Sequence, residues 1–315
     1  MKRKNPATNA SRPEHALLPL KRFLVPVDFS PRSKLALKYA GGLAQRTGAA
    51  IDLLFVAEPA PFYSGLEDSP LALKQGELTQ RAKKRLRPLA ATLPPATVDG
   101  GVFVRHGNAP DEIVAHTRQR DVDLILMPTH GYSGAKRVLL GSTTERVLRQ
   151  SPCAVLTLRL DAHAGGVRRG EKDAPRLSHI LAPVDFSKPS DKALRVAVEL
   201  ARRFQSRLTI LHVVFSPPPP RRLAALAAEL VSGALQQARH DMAALAKKVV
   251  PEGLTVNAKV VAGTPRDGIL RAAGELPCDL IVMATQARRG LERWVMGSTA
   301  ENTVRYAPCP VLVVR

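Results

Sequence analysis

Along the chain, short apolar runs rich in Val, Ile, Leu and Phe alternate with longer stretches in which apolar residues recur every three or four positions. The runs at Phe23–Val27, Ile51–Ala57, Val98–Arg105, Leu124–Met127 and Ala154–Leu158 predict strands. The helical spacing between them predicts helices over Ser33–Arg46, Leu71–Ala91, Ala109–Arg120 and Thr143–Arg149. The second half repeats this order, with its long helix over Arg221–Val250. Strands that are apolar on both faces and separated by helices belong to a parallel sheet covered on both sides.

The repetition is one of sequence as well as of pattern. "VLLGSTTERVLRQSPCAVL" (Val138–Leu156) returns as "WVMGSTAENTVRYAPCPVL" (Trp294–Leu312), identical at nine of nineteen positions. "FLVPVDFSPRSKLALKYA" is answered by "HILAPVDFSKPSDKALRVA", and "HGNAPDEI" by "AGTPRDGI". Equivalent residues stand 156 or 157 positions apart throughout, which marks two homologous domains rather than a short repeat array. "DAHAGGVRRGEKDAPR" is Gly-rich and charged without apolar period, and reads as a linker. The expected division is a disordered basic arm over 1–20, a first domain over 21–160, a linker over 161–176 and a second domain over 177–315. The expected fold class is α/β: two tandem Rossmann-like domains, each a five-stranded parallel sheet covered by helices on both faces.

A chain of 315 residues suffices for two real cores. Its longest apolar runs fall far short of a bilayer span, and its start has no continuous apolar stretch of the secretory kind. No membrane partner and a cytoplasmic location are therefore expected. Three cysteines agree, since an odd number cannot complete a disulfide framework. The formal charge of +20 points toward phosphates. The arm supplies a net +3 of it, and the rest is spread along a chain with few aromatics for bases to stack on. A diffuse basic surface is the reading, and nucleic acid is not the expected partner.

Parallel α/β sheets bind ligands at the carboxyl ends of their strands, where three features collect in each half. The first is Asp28 or Asp185, ending strand one in "PVDFS"; it reads equally as a ligand-facing carboxylate or as a brace for the following turn. The second is the loop after strand four, "MPTHGYSGAKRVLLGS" or "MATQARRGLERWVMGS". The third is the Gly-Ser that ends it, Gly141-Ser142 or Gly297-Ser298, opening a helix. Ser142 with Glu145, and Ser298 with Glu301, have the spacing of capping boxes. A glycine before a helix start also lets a ligand approach backbone N–H groups that attract phosphate.

With "PVDFS" twice, "GNAP" and "GTP" after strand three, and strand-four loops leading into "GSTTE" and "GSTAE", both halves resemble the universal stress protein family. The resemblance covers nearly everything but the arm and linker. It implies a nucleotide motif of Gly, two residues, Gly, nine residues, then Gly-Ser/Thr. It further implies adenine and ribose near the strand-one Asp and a strand-two Val, with phosphates on the glycine loop and helix start. By position these roles fall on Asp28, Val56, Met127, Gly131, Gly141, Ser142 and Thr143, and on Asp185, Val213, Met283, Gly297, Ser298 and Thr299. The implied ligand is ATP or a related adenine nucleotide, with Mg2+ as its accompanying ion. The family also implies domains paired through their last strands, here an internal pseudo-dimer able to dimerise again, and a protein partner that responds to nucleotide state under stress.

Some positions depart from the motif. Pro128 stands at the first loop glycine of the first half, and Ala284 and Ala287 replace both loop glycines of the second. A methyl is costly where φ must be positive, so the first half is the expected ATP site. Arg288, Arg289 and Arg293 could grip phosphate but read as a solvated face. His130 has Gln286 as its counterpart and reads as a loop-surface residue. Cys153, its equivalent Cys309, and Cys278 read as small buried apolar residues, forming neither metal site nor redox pair by spacing. Ser216–Pro220 reads as a spacer. The rival function is a scaffold without nucleotide, acting through protein contacts and favoured by the proline and alanines. A slow phosphoryl- or nucleotidyl-transfer enzyme ranks last, because no candidate base stands near beyond Asp28 and His130.

Overall fold

The computed structural model describes residues 20–58, 71–97, 100–129, 140–159, 177–285 and 296–315. The arm over 1–19, the linker over 161–176 and the residues Gly131, His130, Gln286, Ala287, Arg288, Arg289 and Arg293 lie outside them. In the first half, strands β1 (Arg22–Pro26), β2 (Ala50–Ala57), β3 (Val102–His106), β4 (Leu124–Pro128) and β5 (Ala154–Leu158) alternate with helices α1 (Pro31–Thr47), α2 (Leu71–Ala90), α3 (Ala109–Gln119) and α4 (Ser142–Gln150). In the second half, β6 (His179–Val184), β7 (Arg207–Phe215), β8 (Val256–Gly263), β9 (Leu280–Ala284) and β10 (Val311–Val314) alternate with α5 (Lys188–Phe204), α6 (Ala224–Val249), α7 (Pro265–Glu275) and α8 (Ser298–Tyr306).

The strand predicted from Val98 begins instead at Val102. Val98 itself lies outside the described residues, and Gly100 packs against the start of β2 so closely that a Cβ there would stand 1.6 Å from the Ile51 carbonyl oxygen. Leu20, counted with the arm in the sequence, is buried in the core.

Each half is a five-stranded parallel sheet, and the two join into one ten-stranded sheet ordered β3-β2-β1-β4-β5-β10-β9-β6-β7-β8. The seam is the antiparallel pairing of β5 with β10. There Leu156 faces Leu312, and these two are equivalent residues of the duplication. A pseudo-twofold axis therefore runs through that pair. Alternate residues of each strand feed two cores. Phe23 and Val25 belong to the core that α1 and α5 cover on one face, while Leu24 belongs to the core of the other face, which includes Val147 of α4 and Val304 of α8.

The axis repeats polar chemistry as well. Arg159 donates to the Tyr306 carbonyl at the end of α8 (3.2 Å), and its equivalent Arg315 donates to the Leu148 carbonyl in α4. Each half thus satisfies the orphan carbonyls of the other's helix end, where a cation is also favoured by the helix dipole. Arg149 pairs with Glu145 (2.9 Å) in its own helix and with Glu301 (3.4 Å) across the seam. Glu301 pairs in turn with Arg305 (2.9 Å).

Two core features have no signal in the apolar pattern. Asp52 on β2 is fully buried and accepts from Arg22 (2.9 Å), His116 (3.0 Å) and Arg120 (3.2 Å). At the equivalent place in the second half, Thr209 meets His179 at 2.8 Å. Cys278 and Cys309, expected from their spacing to be unconnected core residues, meet with their Sγ atoms 3.6 Å apart.

Candidate functional site

The carboxyl ends of β1 and β4 open onto a cavity of about 310 Å³ whose walls include Asp28, Val56, Met127, Gly141, Ser142 and Thr143. Its counterpart in the second half, about 250 Å³, is walled by Asp185, Val213, Met283, Gly297, Ser298 and Thr299. Every described residue named from the sequence as a candidate ligand contact therefore lies on one of two equivalent cavities.

One wall is the turn from β1 into α1. Ser30 is the N-cap of α1 and accepts from the Ser33 N–H (3.1 Å), so the cap is the serine and not the aspartate. Asp28 braces the turn by accepting the Ser30 N–H (2.9 Å). Burial alone would raise its carboxyl, but hydrogen bonds from Ser30 and Ser33 outweigh burial and hold it below the usual carboxylate range. Asp185 is built alike, accepting the Ser187 N–H (3.0 Å) while Ser187 caps α5.

Between aspartate and serine, Phe29 and Phe186 are left-handed at φ 61° and 59°. For a bulky residue this costs about 1–2 kcal/mol, and the same strain is held at the same place twice. Aromatic contacts hold it: Phe29 packs on Phe55 (centroids 4.9 Å) beneath Arg85, and Phe186 packs on His212 (4.5 Å).

The facing wall is a helix start, and here the capping-box expectation fails. Gly141 and Gly297 are the N-caps, with Ser142 and Ser298 the first helical residues. Glycine has no side chain to bond the first-turn N–H groups, and Glu145 turns to Arg149 instead of back to the cap. The first turns of α4 and α8 therefore present backbone donors and the positive end of the helix dipole to the cavities. Thr144 fastens its helix start to β4 by donating to the Pro128 carbonyl (2.9 Å).

A third wall is the turn after β3 or β8. Gly107 and Gly263 take φ values of 144° and 146°, which admit little but glycine. Beyond the first of them, Glu58 lines the cavity and accepts the Ala109 N–H (2.9 Å) at the start of α3. In the second half Thr264 does this work for α7, and the position of Glu58 is held by Phe215.

Pro128 and Ala284 sit more easily than the motif suggests. Both are the last residues of their strands, paired with Leu158 and Val314, and Ala284 is not among the residues of positive φ. The methyl of Ala284 thus adds no backbone strain. Next to it, the buried Thr285 hydroxyl lines the second cavity and has no hydrogen-bond partner among the described residues. Among those residues no group of three or more His, Cys, Asp or Glu could hold a metal ion. None of the described helices is long and apolar enough to cross a membrane.

A doubled, parallel, doubly wound α/β sheet with an acid and an open helix start on the walls of each strand-end cavity defines a tandem Rossmann-like class. The profile of the "Universal stress protein family" matches residues 19–159 and again 177–315, and the chain belongs to that family. A universal stress protein of Methanocaldococcus jannaschii is 33% identical over 150 residues, spanning 47% of this chain and 86% of the relative. Universal stress protein YxiE of Bacillus subtilis is 32% identical over 151 residues, spanning 43% and 97%. A crystal structure of a universal stress protein from Archaeoglobus fulgidus superposes with a TM-score of 0.66 at 26% identity, covering 93% of this chain and 98% of that one. That structure shares the two-domain span, as a likeness over single domains would not.

Proposed function

We propose that the protein binds an adenine nucleotide, ATP foremost, mainly in its first half, and passes its occupancy to a protein partner under stress. The reading is of a cytoplasmic binding protein, not an enzyme. One observation carries it: Asp28 and the start of α4, which no side chain caps, line one cavity of about 310 Å³, within the range of small-molecule sites. Asp28 and the backbone near Val56 would take ribose and adenine, with Met127 as an apolar floor. Gly141, Ser142 and Thr143 would take phosphate through backbone N–H groups. ATP supplies the negative charge that such a helix start favours, and Mg2+ would be carried by the phosphates. In the second half Asp185, Val213, Met283, Gly297, Ser298 and Thr299 repeat the arrangement in a smaller cavity, with the unpartnered Thr285 hydroxyl as a further donor.

Calorimetric titration of the whole chain with Mg-ATP tests this, beside Asp28→Ala and Gly141→Val. One tight site per chain, lost in both variants, is expected. Two equal sites would overturn the ranking of the halves. An absence of heat and of thermal shift would overturn nucleotide binding and leave a scaffold. The scaffold reading has an observation of its own: Leu223 at the N-cap of α6 and Leu226 and Leu230 on its first turns lie exposed, as does Phe215 at the end of β7.

A further inference from the structure

Cys278 stands two residues before β9 and Cys309 two residues before β10, parallel neighbours in the sheet. Their Sγ atoms are 3.6 Å apart, 31 residues distant in sequence, and both side chains are buried in one core cluster. Cys309 stands between Pro308 and Pro310, so its backbone has little freedom to turn the thiol away. The first half provides a contrast. Cys153 is the equivalent of Cys309, but Val122 holds the place of Cys278. The thiol of Cys153 instead lies near the Ser151 hydroxyl (3.6 Å). The second half alone has two thiols face to face.

We propose that Cys278 and Cys309 form a reversible intramolecular disulfide when the protein meets a peroxide. The Cys278 sulfur attacks one peroxide oxygen; an S–O bond forms, the O–O bond breaks, and hydroxide leaves with the proton released by the thiol as water. This gives a sulfenic acid on Cys278. The Cys309 sulfur then attacks the Cys278 sulfur; the S–S bond forms, the S–O bond breaks, and a second water leaves with the Cys309 proton. In sum two thiols are oxidised and one hydrogen peroxide is reduced to two waters. The sulfurs close by about 1.5 Å from their contact distance, a movement within reach of their χ1 angles.

The order of attack follows from access, since Cys278 is 8% exposed and Cys309 3%, so peroxide meets the Cys278 sulfur first. The hydrogen bond shared with Cys309 lowers the Cys278 thiol below its ordinary value against the opposing effect of burial. The same hydrogen bond, reinforced by burial, raises Cys309. Burial pushes the Cys153 thiol up to about 12, which leaves it inert near neutral pH. The tie would join the strand that ends at the second cavity to the strand that makes the domain seam. It does not depend on nucleotide binding.

The test is peroxide treatment of the folded, full-length protein, then alkylation in denaturant and a non-reduced tryptic digest. Peptide 272–288 linked to peptide 306–315, two hydrogens lighter than their sum and released by dithiothreitol, is the expected product. Peptide 150–159 should remain alkylated, its thiol consumed about tenfold or more slowly than Cys278. In Cys309→Ser, dimedone should trap a sulfenic acid on peptide 272–288. Stoichiometric alkylation of both partners after peroxide, or a link that contains Cys153, overturns the proposal. Dimedone labelling of Cys309 in Cys278→Ser at the same rate overturns the assigned order.

Discussion

Truncating Leu156 or Leu312 at the seam is the most direct test of the ten-stranded sheet. Each change to alanine removes three carbons, about 2.4 kcal/mol at about 0.8 kcal/mol per buried methylene. Partial collapse of the site adds a void cost that brings such changes to about 2.7–5 kcal/mol. The two leucines already border a void of about 20 Å³, shared with Tyr39 and Leu43 of α1 and Val196 and Leu200 of α5. Collapse there has rigid walls from both halves to overcome, so each single variant should lose about 4 kcal/mol. Urea unfolding followed by far-ultraviolet circular dichroism measures this. Because the two side chains line one cavity, the double variant should fall short of the sum of the singles by about 1 kcal/mol or more. Single-variant losses that add to within about 0.5 kcal/mol would refute a shared core across the seam. So would two separated transitions in the parent protein, one responding to each leucine.

Acid should act through Asp52, whose carboxyl is held low against burial by hydrogen bonds from His116 and Arg120 and by the charge of Arg22. A lowered folded pKa means that its stabilisation is complete above the unfolded value of about 3.9 and is lost as pH falls through the folded value. Asp52→Asn should therefore flatten the acid limb of stability by up to about 1.4 kcal/mol per pH unit, and an unchanged limb would refute the assignment. Two helical glycines should respond with opposite signs to alanine, read by thermal unfolding. Gly233→Ala in α6 meets nothing within 4 Å and should stabilise by about 0.5–1 kcal/mol. Gly268→Ala in α7 would drive a methyl to 2.7 Å from Val213 at the second cavity and should destabilise by about 1–3 kcal/mol.

Much of this architecture is legible in the sequence because it rests on period and repetition. Strands such as Leu124–Pro128 are buried at every position and appear as unbroken apolar runs, so their ends, and with them Asp28, Met127 and Gly141, can be located by counting. Features that depend on how distant segments meet are not legible in that way. Nothing in "PVDFS" indicates that its phenylalanine is left-handed, because the strain is held by Phe55 and His212 on other strands. The buried Asp52 is a single polar letter in an apolar run, and its three partners come from β1, from α3 and from the residue that caps the end of α3. The capping box fails although its spacing is right, because a glycine one position earlier takes the cap and Arg149 claims the glutamate. The thiol pair escapes for the same reason, being made by residues that lead into neighbouring strands and stand 31 apart in sequence.

The reciprocal arginines of the seam, Arg159 and Arg315, belong to one polypeptide, so the pairing they serve is first order. A dimer of separate chains comes apart on dilution, whereas two halves on one chain face each other at an effective concentration on the order of millimolar whatever the protein's abundance. Pairing thus survives scarcity, and each cavity is free to change without its mate having to change with it. Glu58 in one half and Phe215 in its place in the other show that this freedom has been used.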